Sequence, residues 1–206
     1  MSSKKNPALN WKLYCIIDAA SARQNPAGVA RALFKKGVGA VQLRHKNAPS
    51  YELIPIAKKI ARISKKYRKA FIVNDRLEVA LASGASGLHL GLGDMPLDTT
   101  HKLLGSGKII GRTVHSLKDA KRLGHEKITY MAAGHVFPTP SKEGAKPRGI
   151  RFVKNIKGLS RVPVFAIGGI NVENVKSVMG SGADGVCVVR AARRAKNLLR
   201  KINDTG

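Results

Sequence analysis

The chain has 206 residues, 43% of them apolar, which suits one sizeable core rather than two independent domains, and no apolar run approaches the ~20 residues that span a bilayer. Thirty-eight Lys and Arg against twelve Asp and Glu leave a net charge of +26, so the expected partners are phosphorylated small molecules, with non-specific attraction to other polyanions. Five Phe and four Tyr, without the aromatic-basic motif of an RNA-binding sheet, argue against sequence-specific nucleic-acid reading. The start, MSSKKNPALNWK, lacks the apolar segment of a secretory signal, so the cytoplasm is the expected compartment, with residues 1–12 a loose lead-in to a single domain over 1–206. A homo-oligomer is compatible with all of this.

In chain order, Leu13–Asp18 is an apolar run rich in β-formers and predicts a first strand. Pro26 opens a helix to about Lys36, with Val29, Leu33 and Phe34 on one face, closed by Gly37–Gly39. Ala40–Arg44 is a second strand. Ser50 is expected to cap a helix to Tyr67, with Pro55 tolerable only in its opening turns. The pattern then repeats: strand Phe71–Asn74 and helix Arg76–Ser83, strand Gly87–Leu90 and helix Leu97–Leu104, strand Ile109–Thr113 and helix Leu117–Leu123. It continues with strand Tyr130–Ala133 and helix Phe152–Leu159, strand Val162–Ile167 and helix Val172–Met179, strand Val186–Val189 and helix Ala191–Ile202. Cys15 and Cys187 fall inside strands and read as buried free thiols. No Cys/His cluster has metal-ligand spacing.

Eight strand–helix units in strict alternation predict an α/β fold, a single (β/α)₈ TIM barrel, near the lower size limit of ~200 residues. A doubly wound sheet is disfavoured because no G-x-G-x-x-G follows the first strand. In such a barrel the chemistry collects where strands end. Those positions hold Asp18; Gln42, Arg44 and Lys46; Asn74 and Asp75; His89 and Asp94; Thr113; Gly168-Gly169; and Val189-Arg190. The sixth strand runs into a loop with three prolines carrying His135, Thr139, Ser141 and Lys142. Arg44, Lys46 and Lys142 are cations for a highly charged anion, and Asp75 with Asp94 are paired hard oxygen ligands suited to Mg²⁺ beside a diphosphate. Gly168-Gly169 lets backbone N–H groups approach a phosphate.

The set Gln42-Leu43-Arg44-x-Lys46, Val73-Asn74-Asp75-Arg76, Leu88-His89-Leu90-Gly91…Asp94, Gly111-x-Thr113-x-His115, Gly134-x-Val136-Phe137-Pro138-Thr139-x-Ser141-Lys142, Ala166-Ile167-Gly168-Gly169-Ile170 and Gly182-Ala183-Asp184-Gly185-Val186 resembles the thiamine phosphate synthase family over roughly residues 13–192. The resemblance implies a transferase that alkylates a thiazole-ethyl phosphate with an aminopyrimidine-methyl group and releases diphosphate. It implies that Arg44, Lys46, Asn74 and Lys142 bind the diphosphate and that Asp75 and Asp94 hold Mg²⁺. Gln42 would orient the pyrimidine, and Thr139, Ser141, Gly169 and the turn after the eighth strand, Val189-Arg190, would hold the thiazole phosphate.

Four positions depart from that pattern. His135 stands where the synthases usually have Pro, and Gly-His-Val-Phe resembles the sister branch of thiazole tautomerases, in which that His shuttles a proton. Thr113 replaces a usual Ser, Leu92 a usual Gln, and Arg190 a small hydroxyl residue. A tautomerase handles no diphosphate and has no need of Asp75, Asp94, Arg44 and Lys46 together, so the synthase is favoured. A catalytically inactive polyanion-binding barrel rests on the charge alone.

Overall fold

The structure, a computed structural model, describes residues 9, 11–19, 25–140, 144 and 146–205. Among them eight strands alternate with eight helices: β1 (Leu13–Asp18), α1 (Pro26–Lys35), β2 (Ala40–Arg44), α2 (Ser50–Tyr67), β3 (Ala70–Asn74), α3 (Leu77–Ser83), β4 (Gly87–Leu90) and α4 (Leu97–Leu104) make the first half. The second half is β5 (Ile109–Val114), α5 (Leu117–Leu123), β6 (Tyr130–Gly134), α6 (Gly149–Leu159), β7 (Val164–Ile167), α7 (Val175–Gly180), β8 (Gly185–Val188) and α8 (Ala195–Asn203). Every strand pairs in parallel with the next, and β8 returns to β1 through Leu13↔Val186 and Cys15↔Val188, so the expected (β/α)₈ barrel is closed.

The two-residue side-chain period sorts the core into two apolar bodies. Tyr14, Ile16, Ala40, Ile72, Ile109, Tyr130, Ala132, Phe165 and Cys187 fill the barrel, while Val41, Leu43, Val73, Leu88, Leu90, Met131 and Val186 face the helices. The interior is unusually aromatic. Tyr14 and Tyr130 meet edge-to-face at 5.9 Å between ring centroids, and Tyr130 meets Phe165 in the same way at 5.4 Å. Room for these rings comes from small residues on neighbouring strands: a Cβ on Gly111 would lie 2.1 Å from the Tyr130 ring. Of the expected loose segment 1–12, all but residues 9, 11 and 12 lie outside the described residues, and Trp11 is no lead-in. It is buried against Tyr14, Tyr130 and Phe165, closing one end of the barrel. Both cysteines are free and buried, as expected.

Several boundaries differ from the sequence reading for local reasons. Ser50 is not the cap of α2: Pro49 holds that place, and the Ser50 hydroxyl donates to Glu78 and accepts from Arg76. Strand β7 starts at Val164 rather than Val162, because Pro163 has no N–H to donate, although its carbonyl accepts from Met131 (2.9 Å). Helix α7 starts at Val175 because the Asn171 side chain accepts from the N–H groups of Glu173 and Asn174, folding 171–174 into a turn instead. The predicted last helix is two pieces, a 3₁₀ turn at Arg190–Arg194 and then α8, which buries Ala195, Leu198 and Ile202.

Candidate active site

The rims of β2, β3 and β4 bring together Arg44, Asp75 and Asp94, three of the charged residues that the sequence singled out. Asn74 ends β3, and Asp75 follows in a left-handed conformation (φ 58°), a strained state for a non-glycine residue, while its N–H donates to the His89 carbonyl at 2.9 Å. Asp94 folds back across the turn after β4, where its carboxylate accepts from the Gly91 N–H. The two carboxyls are neighbours. Burial, followed by the Asp94 carboxyl as hydrogen-bond partner and as like charge, pushes the Asp75 carboxyl up to about 6, against the pull of the Asn74 amide and the Arg44 guanidinium. Arg44 is itself aimed by a half-buried ion pair with Asp18, at 2.6 Å, across the paired ends of β1 and β2. Lys46, two residues past β2, is exposed.

Behind this rim lies a buried polar chain. Gln42 points into the barrel, donating to the Tyr14 hydroxyl, and its Oε1 is buried with no partner among the described residues. The Tyr130 hydroxyl donates to Tyr14 at 3.1 Å. That leaves the Tyr130 oxygen to accept from His89 Nδ1 (2.9 Å), and His89 Nε2 to accept from the Thr113 hydroxyl (2.8 Å). Neutral imidazole fits this assignment. Burial, with the Arg112 charge adding to it, pushes the His89 imidazole down to about 4. Burial also drives both tyrosines far above their ordinary value.

The opposite rims form the second half of the site. The β6 loop is stitched to the turn after β7: Val136 N–H donates to the Ile167 carbonyl (2.9 Å) and Phe137 N–H to the Gly168 carbonyl (3.0 Å). Glycine is required at both positions of that turn. Gly168 and Gly169 have φ of 102° and 65°, and a Cβ would lie 2.3 Å from His135 Cβ at the first and 2.5 Å from the Pro138 carbonyl at the second. His135 and Thr139 are half-buried on this loop; Ser141 and Lys142 lie outside the described residues. Val189 leads into the 3₁₀ turn that opens with the exposed Arg190, the short extra helix after the last strand that builds phosphate sites in barrels of this kind.

A family model described as thiamine monophosphate synthase matches residues 13–192. The chain belongs to the thiamine monophosphate synthase family. It is 41% identical over 199 residues to the thiamine-phosphate synthase of Pyrococcus horikoshii, covering 93% of this chain and 94% of that protein. It is 35% identical over 195 residues to the thiamine-phosphate synthase of Clostridium acetobutylicum, covering 94% and 92% of the two chains. A solved structure of thiamine phosphate pyrophosphorylase from Pyrococcus furiosus superposes with a TM-score of 0.85 at 32% identity, over 96% of this chain and 98% of that one.

Within this family member, Asp75 and Asp94 are the donors that fit a Mg²⁺ ion. Mg²⁺ takes one or two carboxylates and completes its shell with phosphate oxygens and water. Two carboxyls pressed together, one of them pushed up to about 6, are what a divalent cation relieves. Among the described residues there is no larger group of three or more His, Cys, Asp or Glu. Tyr14, Tyr130 and the partnership of Asp18 with Arg44 escaped the sequence reading. It named His89 and Asp18 at strand ends without giving either a role. Arg112 also escaped it: this outward residue of β5 is 5% exposed, its Nε and Nη1 have no partner among the described residues, and it sits in the field of Asp94.

Proposed function

We propose that the protein is a thiamine phosphate synthase, a cytoplasmic enzyme joining an aminopyrimidine-methyl diphosphate to a thiazole-ethyl phosphate. The observation that carries this reading is the Asp75–Asp94 pair, flanked by Asn74 and Arg44 at three adjacent rims. That is a site for a diphosphate and its metal, and a barrel that only bound a monophosphate would have no use for it.

The reaction breaks the C–O bond to diphosphate and forms a C–N bond to the thiazole nitrogen, so the large demand is charge building on the departing diphosphate. Mg²⁺, held by Asp75 and Asp94, would neutralise part of that charge when bound. Arg44, oriented by Asp18, and Asn74 grip the diphosphate oxygens, with Lys46 and Lys142 as further cations. The buried Oε1 of Gln42 accepts from the pyrimidine amino group, which supplies the partner it lacks within the protein. Thr113, held by His89, closes the same pocket. Gly169, Val189, Arg190, Thr139 and Ser141 receive the thiazole phosphate on the far side, directing its ring nitrogen at the pyrimidine methylene carbon. The aromatic floor of Tyr14 and Tyr130 keeps water from capturing the electron-poor carbon between the two steps.

The test is thiamine phosphate formation from both substrates with Mg²⁺, repeated with EDTA. Metal-dependent product is expected. Isomerisation of a carboxylated thiazole phosphate, with no coupling, would overturn the synthase reading and make His135 the proton shuttle of a tautomerase.

A further inference from the structure

The proposed chemistry uses few of the protein's cations, and the rest are unevenly placed. Besides Arg44 and Lys46, residues 19–74 contain eleven Lys and Arg against one acid, Glu52. On α2 the residues Lys58, Lys59, Arg62, Lys65 and Lys66 are all exposed, and the 3.6-residue period puts them within an arc of about 120°. Between that arc and α1 the surface sinks into a cleft of about 540 Å³ lined by Asn25, Arg31, Lys59 and Arg62, with Ala27, Gly28 and Ile63 between them. No acid lines it, and Arg31, Lys59 and Arg62 belong to none of the ion pairs among the described residues. Elsewhere Lys157 pairs with Asp184 (2.7 Å) and Arg194 with Glu173 (2.9 Å).

We propose that the α1–α2 cleft binds the phosphodiester backbone of nucleic acid without reading its sequence. Two guanidinium forks and an ammonium around one concavity match phosphate oxygens, and the cations continuing along α2 extend the track beyond what a single small phosphate would occupy. A membrane surface fits less well. Interfacial binding needs apolar side chains to insert as well as charge. The exposed large aliphatics Leu81, Leu103, Leu117 and Leu159 all lie on α3 to α6, and none of them lines the cleft. The only large exposed side chain of that kind on α2 is Tyr51, an aromatic on which a base can stack. The cleft shares no residue with the strand-end rims, so occupation leaves the substrate site open.

The experiment is fluorescence polarisation with labelled single-stranded RNA and duplex DNA of about 30 units and mixed sequence, over salt from about 50 to 300 mM. Both should bind, with affinity falling steeply as salt rises. The triple variant Arg31→Glu, Lys59→Glu, Arg62→Glu should lose at least ~10-fold at about 100 mM salt and flatten the log–log salt slope by about 2. The control triple Lys102→Glu, Lys121→Glu, Lys154→Glu on α4 to α6 changes net charge equally and should stay within about 2-fold of the parent. Melting temperature and the basal coupling rate report folding in both, and the milder Arg31→Gln, Arg62→Gln pair replaces the first triple if it does not fold. Absence of binding at about 100 mM salt, equal loss in the two triples, or a cleft that affects only anionic phosphatidylglycerol vesicles would each overturn the proposal.

Discussion

Replacing His89 by Gln tests the buried chain through pH. In the folded protein the His89 imidazole is pushed down to about 4, mainly by burial; unfolded it returns to the ordinary 6.5. Between those values the unfolded chain binds a proton that the folded one refuses, so stability falls as pH falls through this window. The full gap is worth about 3 kcal/mol, at about 1.4 per pH unit, and about 2 kcal/mol of it is lost between pH 7 and pH 5. Asp75 acts in the opposite sense. Its raised carboxyl binds a proton in the folded state between 3.8 and about 6 and so adds stability as pH falls. Both proteins carry Asp75, and the comparison cancels it. Gln at 89 does not titrate, yet its amide can donate toward Tyr130 and accept from Thr113. Urea unfolding in EDTA at pH 7 and pH 5 is the assay. The parent should lose about 2 kcal/mol more than His89→Gln over this interval. Equal losses, or an imidazole at position 89 that titrates near 6.5 by NMR, would refute a neutral His89 locked between two hydroxyls.

Asp94→Asn should collapse Mg²⁺-dependent coupling and calorimetric Mg²⁺ binding while the melting temperature holds; full activity would remove Asp94 from the metal set. Gly111→Ala forces a methyl to within 2.1 Å of the Tyr130 ring and should cost about 1–3 kcal/mol in urea unfolding. Gly169→Ala, with φ at 65° and the Pro138 carbonyl 2.5 Å from the new Cβ, should raise KM for the thiazole phosphate at least ~10-fold and leave KM for the diphosphate substrate within about 2-fold. His135→Ala should retain coupling activity, since nothing in the coupling step requires a proton shuttle at that position, and loss of all turnover would contradict this.

The barrel was legible because each strand is a short apolar run bounded by a turn and each helix carries a 3.6-residue apolar face; local pattern and global fold agree. The rims were legible for a related reason. A polar residue just past an apolar run, such as Asn74 after Phe71–Val73, stands out against the branched apolar side chains that fill such barrels. Two of the misplaced boundaries were set by local hydrogen bonds that no periodicity encodes. The side chain of Asn171 delays α7, and Arg148 N–H and Gly149 N–H, donating to the carbonyls of His135 and Val136, let α6 begin at Gly149 rather than Phe152.

The barrel interior was not legible, and the reason is closure. Tyr14 and Tyr130 are 116 positions apart, and in a strand an inward and an outward tyrosine look alike. Each reads as one more apolar residue until the register is fixed: Gly111 opposite Tyr130 leaves the space, and β8 pairing with β1 brings Tyr14 around to face it. Once the ring is shut, two hydroxyls meet in a space with no water to satisfy them, and a polar partner on each side becomes obligatory. His89 supplies one and Gln42 the other. The same demand carries function. The chain that satisfies the tyrosines ends at the Gln42 amide and the Thr113 hydroxyl, the two groups proposed to meet the pyrimidine, so packing that looks purely structural fixes the orientation of both.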